Sequence, residues 1–194
     1  MLFTFIFQKF IFLLKISIAF IILPLLNLYI SSLSNIFHEN ISYIGNILGY
    51  QNLMYTWGMI CSLYFYFILN AIINKMEYKN KYYIPSLTFS CLLMGLSVFI
   101  PYNPQLYPIL SEIHIYCAIL GTTSFILLIY HILLQLTLYN KQPFHKLMIS
   151  FTYLIVFCIY IIFNFEMVNS FIEITFTSFT AILLCITQIT YSKI

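Results

Sequence analysis

Side chains able to move protons or hold a metal are few in this chain: five glutamates, four histidines and five cysteines among 194 residues, with no Asp and no Arg. Four of the glutamates, Glu39, Glu112, Glu166 and Glu173, sit at or near the same ends of the apolar runs, and only Glu77 accompanies the lysines. His38 adjoins Glu39, and His114 follows Glu112 by two positions. If the connecting segments fold inward, these residues form a His/Glu cluster suited to a cation or a headgroup amine. The plainer reading is a set of water-facing helix ends. No metal motif is complete, and neither a metal nor a cofactor is expected.

A second pattern runs through one apolar segment. His114, Gly121, Leu128 and Gln135 recur every seven residues, and Cys117, Ser124 and His131 form a parallel row three positions later. Together they make a small-and-polar stripe, which on a helix in lipid faces other helices, because small residues permit close approach and polar groups seek partners. The stripe places this helix at the centre of the bundle. His114 and His131 lie 17 residues apart, about 25 Å along a helix, so they cannot share one metal. His131 is expected to hydrogen-bond across helices, to Asn70, Gln188 or a carbonyl, rather than to relay protons. Serine nucleophile motifs are missing: there is no G-x-S-x-G and no H-E-x-x-H, and Ser62, Ser90, Thr122 and Thr180 read as packing residues.

Lipid must be the solvent for the elements that carry these residues. Hydrophobic residues make up 62% and charged residues 7%, with a mean hydropathy of +0.98, whereas a soluble domain needs about a quarter charged residues to cover its surface. The expected fold is all-α, a polytopic membrane bundle forming one domain over residues 1–194. Its six transmembrane helices lie at about 10–33, 53–73, 84–100, 109–138, 147–163 and 168–190. Continuous apolar runs of this length exclude a barrel, whose strands alternate. Pro24 is expected to kink the first span. All eight lysines then fall on one side, at Lys9, Lys15, Lys75, Lys79, Lys81, Lys141, Lys146 and Lys193, which makes both termini cytoplasmic in a multi-pass protein of the cell membrane, or of an organelle membrane if the source is eukaryotic. The net charge of +3 reflects these lysines and supports no nucleic-acid partner. Cys61, Cys91, Cys117, Cys158 and Cys185 lie dispersed within spans, as small apolar fillers.

Two patches resemble a known family. Ile41-Ser42-Tyr43-Ile44-Gly45-Asn46, ahead of the second span, resembles the I-S-D-x-G element of the six-span DRAM-type membrane superfamily, which includes bacterial six-span proteins. His114-x-x-x-Ala118, with Tyr130 and Gln135, is similar to that superfamily's fourth helix. Tyr43 stands where the family has Asp, and no Pro-Glu precedes the second helix at Gln51-Asn52. The resemblance implies six helices with cytoplasmic ends and a broad association with membrane-lipid organisation or regulation.

The functional expectation is an integral membrane protein, more a binder than an enzyme. It would engage membrane lipid, or a membrane-protein partner, through the outer loop and the polar stripe. The residues for this role are Glu39, Ser42, Gly45, Asn46, Glu112, His114, Ser124, His131, Gln135 and Glu173. A small six-span transporter or substrate-capture subunit is the alternative, although the Ala-x-x-x-Ala docking pattern is missing. An intramembrane enzyme acting on lipid headgroups, with His114 working alongside Glu112 or Glu173, would need a convergent nucleophile that the sequence does not announce.

Overall fold

A computed structural model describes residues 2–76, 80–140 and 142–192; Glu77, Lys79, Lys141 and Lys193 of the charge pattern lie outside them. Pro24 leaves its mark on the first rod. It has no N–H for the carbonyl of residue 20, and its ring crowds that turn. The chain answers with a π-helical turn, Ile18–Ile22, between α1 (Leu2–Ser17) and α2 (Leu23–Ser31), in which Pro24 occupies the opening turn of α2. The widened turn makes room for the ring, and the three pieces form one apolar rod from Lys9 to Ser31.

The expected outer loop contains a short helix, α3 (Ile41–Asn46). Asn40 caps it, its side chain accepting the Tyr43 N–H at 2.7 Å. Hydropathy could not show so short an element. The long helices then follow as α4 (Gln51–Lys75), α5 (Tyr83–Phe99), α6 (Pro108–Asn140), α7 (Gln142–Phe165) and α8 (Ser170–Tyr191). Pro108 starts α6, where a missing N–H costs nothing, and Pro143 sits in the first turn of α7, which begins five residues before its expected start. Glu166, at φ +55°, turns the chain between α7 and α8, and Asn169 caps α8 by accepting the Ile172 N–H at 3.1 Å.

No strand occurs among the described residues. Five rods are long and apolar enough to cross a membrane, while α5, with 17 residues, is apolar but shorter than the ~20 that a spanning helix ordinarily needs. Among the described residues the fold is therefore an all-helical bundle of five spanning-size rods, the shorter apolar helix α5 and the short helix α3.

Helices α4, α5, α6, α7 and α8 pack in sequence order, and α8 returns to α4, closing a ring; α2 lies against α8 and α4. Phe65, Ile68, Leu69, Phe125 and Phe151 fill the interior, with the Phe65 and Phe125 rings 5.1 Å apart. Lipid tails are as apolar as leucine, so this interior gains little from leaving lipid, and cohesion comes from close packing and hydrogen bonds. Gly121 provides one such close approach: a Cβ there would stand 2.8 Å from the Met94 backbone nitrogen of α5.

The expectation that the stripe-bearing helix is central is corrected. Over an apolar stretch of 18 residues in each, half or more of α4 and α8 is buried (50% and 56%) against 33% of α6. Helix α6 packs mainly against α5 and α7 and leaves Tyr116, Ile119, Leu120 and Leu127 exposed.

The two ends of the bundle differ in charge. At one end Lys15 Nζ approaches Gln188 Oε1 at 3.4 Å and Lys75 Nζ donates to Ser192 Oγ at 2.8 Å; Lys81 lies just before α5 and Lys146 in the second turn of α7. Glu39, Glu112, Glu166 and Glu173 occupy the opposite end.

Candidate functional site

At the glutamate end the segment between α2 and α4 folds inward over the bundle. Backbone bonds hold it to the start of α8: the Ser170 N–H donates to the Glu39 carbonyl at 2.7 Å and the Phe171 N–H to that of Ile36 at 3.0 Å. Asn169 adds a side-chain bond to the Phe37 carbonyl at 3.1 Å. Glu173, in the first turn of α8, accepts the Ile41 N–H on Oε2 at 2.7 Å, which anchors the start of α3. Gly45 then lets α3 rest on α4, since a Cβ there would meet the Met54 side chain at 2.5 Å.

This docking joins the two sequence patches. Ser42 Oγ lies 2.8 Å from His114 Nε2, and the other ring nitrogen, Nδ1, lies 3.1 Å from the carbonyl oxygen of Ile100. Ile100 ends α5, where helix carbonyls lose their intrahelical donors, so the imidazole supplies one. A carbonyl can only accept, so Nδ1 carries the hydrogen; in the neutral ring Nε2 is then the acceptor and the Ser42 hydroxyl donates to it. His114 is buried, with the Tyr102 ring 5.2 Å from it.

The other expected site residues divide. Asn46 donates to the Ser42 carbonyl at 3.0 Å and lies 3.5 Å from Met54 Sδ. Glu112 is exposed, and Glu173 is engaged with Ile41, so neither is the acid or base partner of His114 in this arrangement. Glu39 is half-buried, and its Oε2, like Ser170 Oγ, is buried without a hydrogen-bond partner among the described residues. His38 is exposed with its ring edge toward Phe165, and no group of three His, Cys, Asp or Glu side chains converges among the described residues. Inward folding therefore builds a serine–histidine contact in place of the His/Glu cluster.

The stripe on α6 also divides. His114, Gly121 and Leu128 are buried, whereas Ser124 and Gln135 are half-buried and His131 is exposed. His131 meets Tyr83 edge-on at 5.5 Å, while its expected partners are otherwise engaged: Asn70 accepts from Asn74, and Gln188 faces Lys15. With Ser124, Leu127 and Leu128 it lines one wall of a cleft of about 380 Å³, whose other wall is Asn80, Tyr82, Tyr83, Ser86 and Phe89.

One polar centre was not foreseen. Asn27, fully buried in α2, accepts the Trp57 Nε1–H at 2.8 Å and donates to Ser178 Oγ at 2.7 Å and Thr177 Oγ1 at 3.2 Å. An amide three residues beyond Pro24 in an otherwise apolar run was the available signal. Fold and site together define a membrane-embedded helix bundle with polar contacts gathered at both ends. Compared with known proteins, the chain matches no family model, no curated protein and no solved structure.

Proposed function

We propose that this chain is a six-span protein of the cell membrane, with both termini cytoplasmic, that holds a membrane lipid in the α5–α6 cleft. The lysine end faces the cytoplasm under this reading, because short Lys-bearing loops stay inside. The observation that carries the lipid assignment is the lining of the cleft. Asn80, Ser86, Ser124 and His131 are polar, and Phe89, Leu127 and Leu128 are apolar, so the groove matches an amphipathic occupant. Its volume of about 380 Å³ falls within the ~300–1,000 Å³ of ordinary ligand sites.

Depth agrees with that occupant. With 33 residues α6 rises about 50 Å, so with the ~30 Å hydrocarbon layer centred on it about 10 Å emerges on either side. His131, nine residues or about 13 Å from Asn140, then lies near the inner headgroup boundary. Lys81, whose Nζ sits 5.0 Å from the centroid of the cleft-lining Tyr82 ring, would meet a lipid phosphate. The likeness of the outer segment and of α6 to DRAM-type proteins favours the same broad role.

Native mass spectrometry of protein released gently from membranes tests the reading. A phospholipid adduct is expected on the wild type and should be lost from Ser124→Phe, which fills the cleft. Wild-type protein without lipid, or equal retention by the variant, would overturn it.

A further inference from the structure

His114 holds the geometry of a general base in waiting. One ring nitrogen is fixed as a donor by the Ile100 carbonyl at 3.1 Å, and the other therefore presents its lone pair to the Ser42 hydroxyl at 2.8 Å. A nucleophile within hydrogen-bond reach of a base, with the base oriented by a third group, is the arrangement that activates serine in acyl transfer. Here a backbone carbonyl takes the orienting place that a carboxylate usually fills.

The surroundings hold this pair in place. The Glu173 bond to the Ile41 N–H fixes the residue before Ser42, and Asn40 caps the same turn. The Tyr102 ring lies 5.2 Å from the imidazole, which is buried, while Ser42 is half-buried. Asn46, one turn along α3, faces the same way as Ser42. One of its amide hydrogens goes to the Ser42 carbonyl at 3.0 Å. The amide nitrogen also lies 3.5 Å from Met54 Sδ, a weak acceptor, which leaves its second hydrogen available to an oxyanion.

Position selects the substrate. His114 lies six residues, about 9 Å, from the Pro108 end of α6, which places it near the outer boundary of the hydrocarbon layer. The carboxylic esters of glycerolipids lie at that depth. We propose that Ser42 and His114 form a catalytic dyad that cleaves a carboxylic ester of a membrane lipid. Ser42 Oγ bonds to the ester carbonyl carbon while its proton passes to His114 Nε2. The carbonyl carbon–alkoxy oxygen bond then breaks, and the departing alcohol takes that proton, leaving an acyl-serine. Water, losing a proton to Nε2, attacks the acyl-serine, releases a fatty acid and restores the Ser42 hydroxyl. This activity stands at the opposite end of the bundle from the lipid cleft and does not depend on it.

An alkyl fluorophosphonate, added to the full-length protein in mild detergent and followed by peptide mass mapping, provides the test. It should phosphonylate Ser42 on the wild type, and the adduct should be absent from Ser42→Ala at unchanged melting temperature. Labelling of His114→Gln should slow by about a hundredfold, in keeping with loss of a general base. Wild-type protein in phosphatidylcholine vesicles should release fatty acid, and Ser42→Ala should not. A wild-type Ser42 that stays unlabelled while the protein remains folded would overturn the dyad, as would equal labelling rates in wild type and a folded His114→Gln. Labelled Ser42 without fatty-acid release would overturn the substrate assignment. Lipid retention by Ser124→Phe is read separately, so the two proposals fail independently.

Discussion

Trp57 donates its indole N–H to Asn27 Oδ1 at 2.8 Å, tying α4 to α2 across 30 positions of sequence, and the Asn27 amide passes the connection on to α8 through Ser178. Asn27 thus sits where three helices meet and is fully buried. Asn27→Leu would leave the indole N–H without its acceptor and is expected to cost about 1–3 kcal/mol. Thermal unfolding in detergent should show a clearly lowered midpoint. Trp57→Phe, which removes the donor but keeps a ring, should cost less. Equal stability of Asn27→Leu and wild type would show that the junction rests on packing alone.

The glycines of the bundle separate by what surrounds them. A Cβ at Gly121 would stand 2.8 Å from the Met94 nitrogen and 3.0 Å from Leu93 Cβ, so α5 and α6 must part to admit it. Gly121→Ala should destabilise by about 1–3 kcal/mol. At Gly95 the nearest atom is Ser62 Oγ at 3.6 Å, ordinary contact, so Gly95→Ala should be neutral or stabilising by up to ~1 kcal/mol through helix propensity. Thermal midpoints in detergent would rank the pair, and the reverse order would refute the close crossing.

Glu173 holds the outer segment through one bond to the Ile41 N–H. Glu173→Gln keeps an acceptor oxygen and should leave the segment docked, whereas Glu173→Leu removes it, at a cost of about 1–3 kcal/mol. Hydrogen exchange over residues 34–50 should rise in the leucine variant and stay near wild type in the glutamine variant. Equal protection in all three would show that the Ser170 and Phe171 backbone bonds suffice.

Sidedness can be read by thiol labelling. Cys61, Cys91, Cys158 and Cys185 are buried and Cys117 is half-buried, which gives a low background. An impermeant maleimide should label Glu112→Cys in intact cells and Lys81→Cys only after permeabilisation. The opposite pattern would invert the proposed topology.

Class, rods and polarity were legible without a fold. Hydropathy is local, so a run of about 20 apolar residues declares a membrane helix whatever its neighbours are, and the lysine and glutamate positions then sort to two ends. Even the disturbance at Pro24 follows from a missing N–H, which the chain accommodates with a π-helical turn. Tertiary structure alone decided who meets whom. Ser42 and His114 are 72 positions apart, and Glu173 and Ile41 are 132 apart; neither pairing has a periodic signature. The seven-residue stripe marked α6 as a packing helix, yet packing by α5 and α7 closed it over His114 and Gly121 and left Ser124 and His131 on an open cleft. The physical reason is the same in each case. A polar group in lipid must find a partner, but which partner lies within 3 Å depends on how separate helices stack, and that distance is written in no single stretch of sequence.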